Sequence, residues 1–378
     1  MEEETILLSP DEVKKRRERK PDATVKVISS EKFHNRGNRV AINYETMGRC
    51  SIPETLYFRD YSVTEENDLL LVRKEDQLET TIAVLNKMKN EDANCKVEDM
   101  TLEEFFETLI GIKKQFDTIN HNHYWICSCQ NEFDDPKVNE IIINLNDLQY
   151  KSIAEGDSIL KEIFKKKFES LTDENFREYI INKYKDNPSL DLENITKEEE
   201  LERIQVKEPF VLKYNDRIYS FRFSRIGDLV TARKIAEKEF ASKIKEIQNR
   251  RNINSSLPEL KFDKKKELDK LKSEEVKYSL LIAQALTLDS IDGNKLTDAD
   301  KIKEFSVMPR NEKSKIQNFM HQFKFGVQHE QEFTCPLCGK VDKRWIQREI
   351  DYDDLLPANT ASDGNSGINA SLDIYVGI

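Results

Sequence analysis

The stretch Glu332-Phe-Thr-Cys-Pro-Leu-Cys-Gly-Lys340 predicts a tight turn that holds two thiols on one side. Cys335 and Cys338 are two residues apart, with Pro336 between them and Gly339 directly after. Glycine supplies the positive φ that such a turn commonly needs. Two thiolates held in this way suit one tetrahedral metal ion at about 2.3 Å from each sulfur. The stretch therefore predicts half of a zinc site, and the other ligands must come from elsewhere in the chain.

The second half of this site has two candidate sources. Cys127 and Cys129 form a C-x-C pair, which is less usual in zinc sites than C-x-x-C, and they could complete a four-cysteine centre. His121 and His123 lie just before this pair and are alternative ligands. A site with four protein ligands would be closed to substrate and therefore structural. The competing interpretation is that the cysteines are packed free thiols without a metal.

Composition places the chain among globular proteins with long exposed helices. Its 378 residues allow two to three domains, and 38% of them are hydrophobic and 35% charged. The net charge of -11 argues against a protein whose whole surface binds the phosphate backbone of nucleic acid. No apolar run approaches the ~20 residues of a membrane helix, and the acidic start has no signal-peptide core. With only six cysteines, these features predict a reducing compartment and no membrane association.

The order of strand and helix patterns predicts an α+β fold that is predominantly helical with short antiparallel strands. Capping boxes such as Thr101-Leu-Glu-Glu104 begin helices, and the segment from Phe210 to Phe223 alternates like a hairpin with its turn at Asn215-Asp216. The predicted domains are a charged N-terminal arm (1–50), a first strand–helix–cysteine-turn domain (51–156), a charged helical connector (157–207), a second domain ending in the C-x-x-C turn (208–356) and a flexible C-terminal tail (357–378).

The two domains follow the same plan, which predicts an internal duplication. Tyr57-Phe-Arg-Asp-Tyr61 takes the place in the first half that Tyr219-Ser-Phe-Arg-Phe223 takes in the second. In each half, capped helices follow these strands, and a cysteine pair comes after the helices. We therefore expect two similarly organised halves, each ending in a cysteine-bearing turn.

The two termini suggest contacts with other molecules. Val13-Lys-Lys-Arg-Arg-Glu-Arg-Lys20 is either a nucleic-acid patch or, as we favour, a solvated helix or arm that lies on a partner. The tail ends in Ser371-Leu-Asp-Ile-Tyr-Val-Gly-Ile378, which could add a strand to a neighbouring sheet or pair with its own domain.

No catalytic constellation stands out. The chain lacks a Gly-rich phosphate loop, an H-E-x-x-H pair, a nucleophile elbow and the H-x-E with P-C-x-x-C pattern of zinc deaminases. Trp125 and Trp345 flank the cysteine pairs and are expected to pack against the turns. We therefore predict that the chain is not an enzyme. A redox enzyme that uses Cys335 and Cys338 is a weaker alternative.

Several motifs, taken in order, resemble one protein family. Ser51-Ile-Pro-Glu-Thr-Leu-Tyr-Phe-Arg-Asp-Tyr-Ser-Val-Thr-Glu-Glu-Asn-Asp-Leu-Leu70 is similar to the opening of baseplate hub and tail-assembly proteins of contractile-tailed bacteriophages, of the T-even hub assembly type. The second half resembles the family in Ser290-Ile-Asp-Gly293, Met308-Pro-Arg310, Phe325-Gly-Val-Gln328, Phe333-Thr-Cys-Pro-Leu-Cys-Gly339 and Tyr352-Asp-Asp-Leu-Leu356. The length of the chain, its double plan and its C-x-C pair depart from the simple form.

The resemblance implies a structural or assembly protein of the tail baseplate hub that acts by protein–protein contacts. Its partners would be other hub and baseplate proteins and tape-measure proteins, and a homo-oligomer is compatible with this role. It would be found in the virion tail baseplate or in the host cytoplasm during assembly, and whether it is a resident subunit or a transient factor stays open. The alternative function is that of a zinc-ribbon nucleic-acid-binding protein, which would use the basic stretch from Lys14 to Lys20 and the C-x-x-C turn.

Overall fold

The computed structural model describes residues 39–346, apart from 74–75, 91–93, 128, 130–138, 185–191, 193, 215–216 and 251–262. The predicted basic stretch of the arm, the hairpin turn at Asn215-Asp216 and the predicted C-terminal tail lie outside the described residues. The fold is α+β, 53% helical, with short antiparallel strands in small sheets, which confirms the predicted fold class.

The described residues form ten α-helices and twelve strands. The helices are α1 (Val63–Leu71), α2 (Gln77–Met88), α3 (Leu102–Phe116), α4 (Glu155–Glu169), α5 (Asp173–Tyr184), α6 (Lys197–Glu202), α7 (Ile226–Asn249), α8 (Lys264–Leu286), α9 (Asp298–Val307) and α10 (Arg310–His321). The strands are β1 (Arg39–Asn43), β2 (Thr55–Arg59), β3 (Asn120–Trp125), β4 (Asn139–Asn144), β5 (Tyr150–Lys151), β6 (Phe210–Tyr214), β7 (Arg217–Phe221), β8 (Leu288–Ile291), β9 (Asn294–Lys295), β10 (Gly326–Val327), β11 (Glu330–Thr334) and β12 (Val341–Trp345).

The strands form five small antiparallel sheets among the described residues. Four sheets have two strands each (β1–β2, β3–β4, β5–β10 and β11–β12), and β6, β7, β8 and β9 form one four-stranded sheet in sequence order. Isolated two-stranded hairpins are marginally stable in water. These sheets therefore depend on what packs against them. None of the helices in the described ranges has the length and apolar content of a membrane span.

Local sequence signals set the helix ends. Thr101 accepts a hydrogen bond from the backbone N–H of Glu104, whose side chain accepts one from the N–H of Thr101, so the predicted capping box begins α3. The corresponding box of α1 is formed by Ser62 and Glu65. Glu65 also accepts two hydrogen bonds from Arg59 at 2.6 and 2.8 Å, which fixes this residue as the N3 partner.

Strand β1 was not predicted, because residues 39–43 fall within the range assigned to the arm. Arg39 to Asn43 pair with Arg59 to Thr55 of β2. Ile42 is buried in this hairpin and packs in the main core. The bounds of the predicted domains stay a prediction.

The main hydrophobic core contains side chains from both halves of the chain. Residues between Ile42 and Leu148 supply most of it, and Ile226, Val327, Phe333, Cys335 and Ile346 join them from the second half. A second core, around Tyr219, Phe221 and Phe323, lies beside the four-stranded sheet. The helices α4, α5 and α6 have a smaller core of their own.

Polar contacts tie the start of α7 to the start of α3. The backbone N–H of Ile226 donates to the carbonyl of Met100 at 2.9 Å. The buried Arg225 pairs with Glu208, and Arg222 pairs with Asp228 through two hydrogen bonds of 2.7 and 2.8 Å. Buried charges are tolerated when they are paired in this way.

Gly326 allows β10 to lie close to α3. Its φ is +83°, and a Cβ there would lie 2.8 Å from the Glu103 Cβ and 3.3 Å from the Glu107 Oε1. Gly293 has a similar φ of +79°, but nothing lies within 4 Å of its Cβ position. Alanine substitutions at the two glycines therefore distinguish the cost of backbone strain from the cost of steric overlap.

We expect Gly293→Ala to lower the free energy of unfolding by about 1–2 kcal/mol, which is the cost of a left-handed alanine. Gly326→Ala adds the overlap with α3, so we expect a total loss of about 2–5 kcal/mol. Urea denaturation of both variants measures the difference. Equal losses would show that β10 does not pack on α3 as described.

Candidate metal centre

The four predicted cysteine ligands meet at one place, although they come from distant parts of the sequence. The Sγ atoms of Cys127, Cys129, Cys335 and Cys338 all lie within 4.8 Å of one another. The Cys127 and Cys338 sulfurs are 3.9 Å apart, and the Cys129 and Cys335 sulfurs are 3.7 Å apart. The structure therefore brings both predicted pairs together into one four-sulfur cluster.

The sulfur–sulfur distances match those of a tetrahedral metal site. A metal–sulfur bond of about 2.3 Å in a regular tetrahedron places its sulfurs about 3.8 Å apart. The two closest pairs lie on either side of this value, at 3.7 and 3.9 Å. The donor set is also the Cys₄ set of structural zinc sites. The cluster is therefore compatible with a metal ion such as Zn²⁺.

The hairpin β11–β12 holds one cysteine pair. The strands are paired from Glu330 with Trp345 to Thr334 with Val341, and the cysteines occupy the turn between them. The turn is closed by hydrogen bonds from the Cys335 N–H to the Lys340 carbonyl and from the Gly339 N–H to the Cys335 carbonyl, both 2.9 Å. Gly339 has φ +68°, as the sequence predicts.

Backbone amides in this turn favour the thiolate of Cys335. Hydrogen bonding from the backbone of Cys338 is the largest cause that lowers the pKa of Cys335, and the backbone of Leu337 adds to it; burial opposes them, and the pKa is about 6. Amide hydrogen bonds stabilise the charged form of an acceptor. Among four neighbouring sulfurs, desolvation and hydrogen bonds to the other cysteines raise the pKa of Cys129 to about 12. A divalent cation would favour the thiolate at both positions.

Strand β3 places the other pair. His121, His123, Trp125 and Cys127 are buried at every second position, and the residues between them are exposed, so all four point to the same side of the hairpin. Cys127 lies two residues after the end of β3, and Cys129 lies beyond it at the surface. A C-x-C pair at the end of a strand is therefore able to reach the turn of the other hairpin.

The two histidines are not part of the sulfur cluster. At about 3.3 Å per residue, His123 lies roughly 13 Å and His121 roughly 20 Å along the strand from Cys127. Within the described ranges, the group that could hold a metal ion consists of the four cysteines. Burial, with Lys113 and His123 nearby, lowers the pKa of His121 to about 4, so this imidazole is neutral at pH 7. The alternative of histidine ligands is not supported.

Aromatic packing joins the two hairpins beneath the sulfurs. Phe333 is completely buried, and its ring meets those of His123 and Trp125 edge to face, with centroids 5.6 and 5.7 Å apart. The Arg344 guanidinium lies 5.5 Å from the ring centroids of both Trp125 and Phe333. This role of Phe333 was not predicted, although its position two residues before Cys335 on a strand places both side chains on one face.

The expected packing of the two tryptophans is confirmed for one of them only. Trp125 is buried against Phe333, as predicted. Trp345 is 39% exposed, because it ends β12 on the outer face of the hairpin. Residues 347–352, which follow this strand in the sequence, lie outside the described part of the chain.

The remaining cysteines are separate from the cluster. Burial is the main cause that raises the pKa of both Cys50 and Cys95, so both are neutral thiols at pH 7. Both are half-buried. They therefore serve as internal controls for the four clustered cysteines.

We expect Phe333→Ala to lower the free energy of unfolding by about 3–5 kcal/mol, because it leaves a cavity between the two hairpins. The emission of Trp125 should shift to longer wavelength as water enters. Urea denaturation followed by tryptophan fluorescence measures both effects.

The matched control is Val341→Ala in the same sheet, where the side chain is 53% exposed. Its effect should stay within about 0.5 kcal/mol. If Phe333→Ala were equally mild, the hairpins would not be joined through this ring.

Comparisons of the chain with protein-family models, with curated proteins and with solved structures found no match.

Proposed function

We propose that the chain is a non-enzymatic structural or assembly protein of the tail baseplate hub of a contractile-tailed bacteriophage, braced by one structural zinc ion. The observation that carries the zinc part is the tetrahedral spacing of four sulfurs from two hairpins. The phage part rests on the resemblance of residues 51–70 and of the motifs between Ser290 and Leu356 to hub and tail-assembly proteins. The two similarly organised halves of this proposal stay a prediction.

The closed ligand set supports a structural rather than a catalytic metal. Catalytic zinc keeps one coordination position for water or substrate, whereas four thiolates fill a tetrahedral ion completely. Each ligand pair belongs to a two-stranded sheet that is too small to be stable alone. A metal ion shared by both sheets would therefore contribute to folding rather than to chemistry.

Exposed apolar side chains support a role in protein–protein contacts. Tyr124 and Ile142, on the outer face of the β3–β4 hairpin, are 50% and 62% exposed. On the other hairpin, Leu337 is 57% exposed at the cysteine turn, and Trp345 is exposed at the end of β12. Aromatic residues and exposed apolar patches are common in protein interfaces. We propose that these faces contact hub and tape-measure proteins.

The purified full-length chain should contain one zinc ion per molecule, measured by elemental analysis. The variants Cys335→Ser and Cys338→Ser should each lose the zinc ion. A serine hydroxyl, whose pKa is much higher, cannot replace a thiolate of a four-thiolate site. Chelation should lower the melting temperature by on the order of 10 °C, as expected from the loss of several kcal/mol of linked stability.

The control variant is Cys95→Ser, which lies outside the cluster and should keep the metal. Substitution of cobalt for zinc should give the absorption of tetrahedral sulfur coordination in the wild type and in this control. A chain that contains no metal, and whose melting temperature does not respond to a chelator, would support packed free thiols instead.

Co-expression with the baseplate hub and tape-measure proteins of a contractile-tailed phage tests the proposed role. We expect the full-length chain to be retained on its partners, and the double variant Tyr124→Glu/Ile142→Glu to lose retention by at least about tenfold, since buried unpaired charges oppose an interface. The double variant should keep its zinc, which shows that it is folded.

The matched control is Val211→Glu, an equally exposed substitution at 63% on the four-stranded sheet. It should leave retention unchanged. Retention on DNA that weakens with salt, without retention on hub proteins, would favour the zinc-ribbon nucleic-acid-binding alternative.

A further inference from the structure

The helical hairpin formed by α7 and α8 has a basic end. The Lys264 Nζ donates to the Gln248 carbonyl at 2.5 Å, and the rings of Phe240 and Tyr278 are 5.9 Å apart, so the two helices run antiparallel. With 24 and 23 residues, they extend over about 35 Å. The end that contains Asn249 and Lys264 is here called the hairpin tip.

The hairpin is anchored at one end and exposed at the other. Near its base, Ala232, Ile282 and Leu286 are buried in a shared cluster. Beyond Phe240, the side chain that is fully buried within the described part of both helices is Leu271. Ile244 and Ile247 are half-buried. The hairpin tip therefore offers its surface to other molecules.

The charge of the hairpin tip is opposite to that of the whole chain. The described residues from Ala241 to Arg250 and from Asp263 to Lys272 contain eight lysines and arginines against four aspartates and glutamates, in a chain of net charge -11. Lys243, Lys245, Lys265, Lys266 and Lys270 are exposed. The tip is therefore a local region of positive charge on an acidic protein.

Helix stability does not account for the lysines of the hairpin tip. Lys264, Lys265 and Lys266 are the first three residues of α8, where the helix dipole favours negative side chains. Asp263 caps the helix by accepting from the N–H groups of Lys265 and Lys266 at 3.1 and 3.2 Å. The Asp263 side chain alone therefore supplies the N-terminal cap that a helix commonly needs. The lysines add positive charge at an end that is already positive.

The opposite charge occurs on α5 and α6 of the same chain. The described residues from Glu169 to Glu202, which leave out 185–191 and 193, contain eight aspartates and glutamates against three lysines and arginines. Glu174, Glu178 and Glu198 are exposed, and Glu174 and Glu178 lie one turn apart on one face of α5. With α4, these helices pack around Phe168, Phe176 and Ile180, a cluster separate from that of the hairpin. We call α5 and α6 the acidic unit.

We propose that the basic hairpin tip of one molecule binds the acidic unit of a second copy of this chain. The opposite charges of the two surfaces carry the inference. The composition of the tip, with acidic residues among lysines, fits a protein surface better than a phosphate backbone, which favours uninterrupted basic patches. Because the two surfaces differ, the contact is head to tail, so copies close into a ring or extend as a filament. This inference goes beyond the proposed function and does not depend on a phage partner.

Sedimentation velocity of the full-length chain at increasing salt tests the proposal. We expect association at about 50 mM salt that weakens by at least about tenfold at 500 mM, where the Debye length is only a few ångströms. The tip variant Lys265→Glu/Lys266→Glu/Lys270→Glu should remain monomeric. Glutamate suits positions 265 and 266 in the first turn of α8, and position 270 is exposed, so loss of association would not reflect unfolding.

The acidic-unit variant Glu174→Lys/Glu178→Lys/Glu198→Lys should also remain monomeric alone. Mixed with wild type, each variant still has one functional surface and should form a dimer. Mixing the two variants should also restore association, because the unchanged tip of one meets the unchanged acidic unit of the other, and the two reversed surfaces again have opposite charge. The control Lys87→Glu/Lys207→Glu/Lys295→Glu changes the net charge as much as the tip variant, at exposed lysines elsewhere, and should associate like wild type.

Three results would overturn the proposal. The first is a wild-type chain that stays monomeric at about 50 mM salt and about 100 μM protein. The second is association that the two charge-reversed variants retain. The third is retention of wild type on DNA that the tip variant alone loses, without self-association, which would assign the tip to nucleic acid.

Discussion

The meeting of four sulfurs from two hairpins is the constraint on which the rest of this structure depends. The two closest sulfur pairs join residues that are 211 and 206 positions apart in the sequence. Each hairpin on its own has two strands and little buried surface. Their contact builds the part of the main core that contains Trp125, Phe333 and Cys335. The proposed zinc ion would join the same two elements that the aromatic rings join.

Charge pairs make a second connection between distant parts of the chain. Arg225 is buried and pairs with Glu208, and its neighbour Ile226 donates to the Met100 carbonyl. A thiolate centre and a buried ion pair have one property in common. Each lowers the stability of the fold when one of its partners is missing. A buried ion pair adds little net stability relative to apolar packing, but both kinds of contact penalise incomplete or misaligned arrangements. The structure thus combines ordinary apolar packing with two connections that tolerate few alternatives.

The sequence predicted local structure well and the long-range arrangement only in part. The capping box at Thr101 and the glycine turn at Gly339 are local signals, and both are confirmed. The convergence of Cys127, Cys129, Cys335 and Cys338 was predicted from ligand number rather than from spacing, and the structure shows it. Strand β1 and the exposure of Trp345 were missed, because both are decided by partners far along the chain. The sequence alone did not exclude the histidines as alternatives to Cys127 and Cys129, because their distance from the sulfurs along β3 was not known.

The wide sequence separation of the four sulfurs has a consequence for biosynthesis. Cys127 and Cys129 leave the ribosome long before Cys335 and Cys338, since more than 200 residues are translated between them. The four-sulfur cluster cannot form until the second pair has been synthesised. Metal binding by all four sulfurs would then require that the two hairpins have already come together.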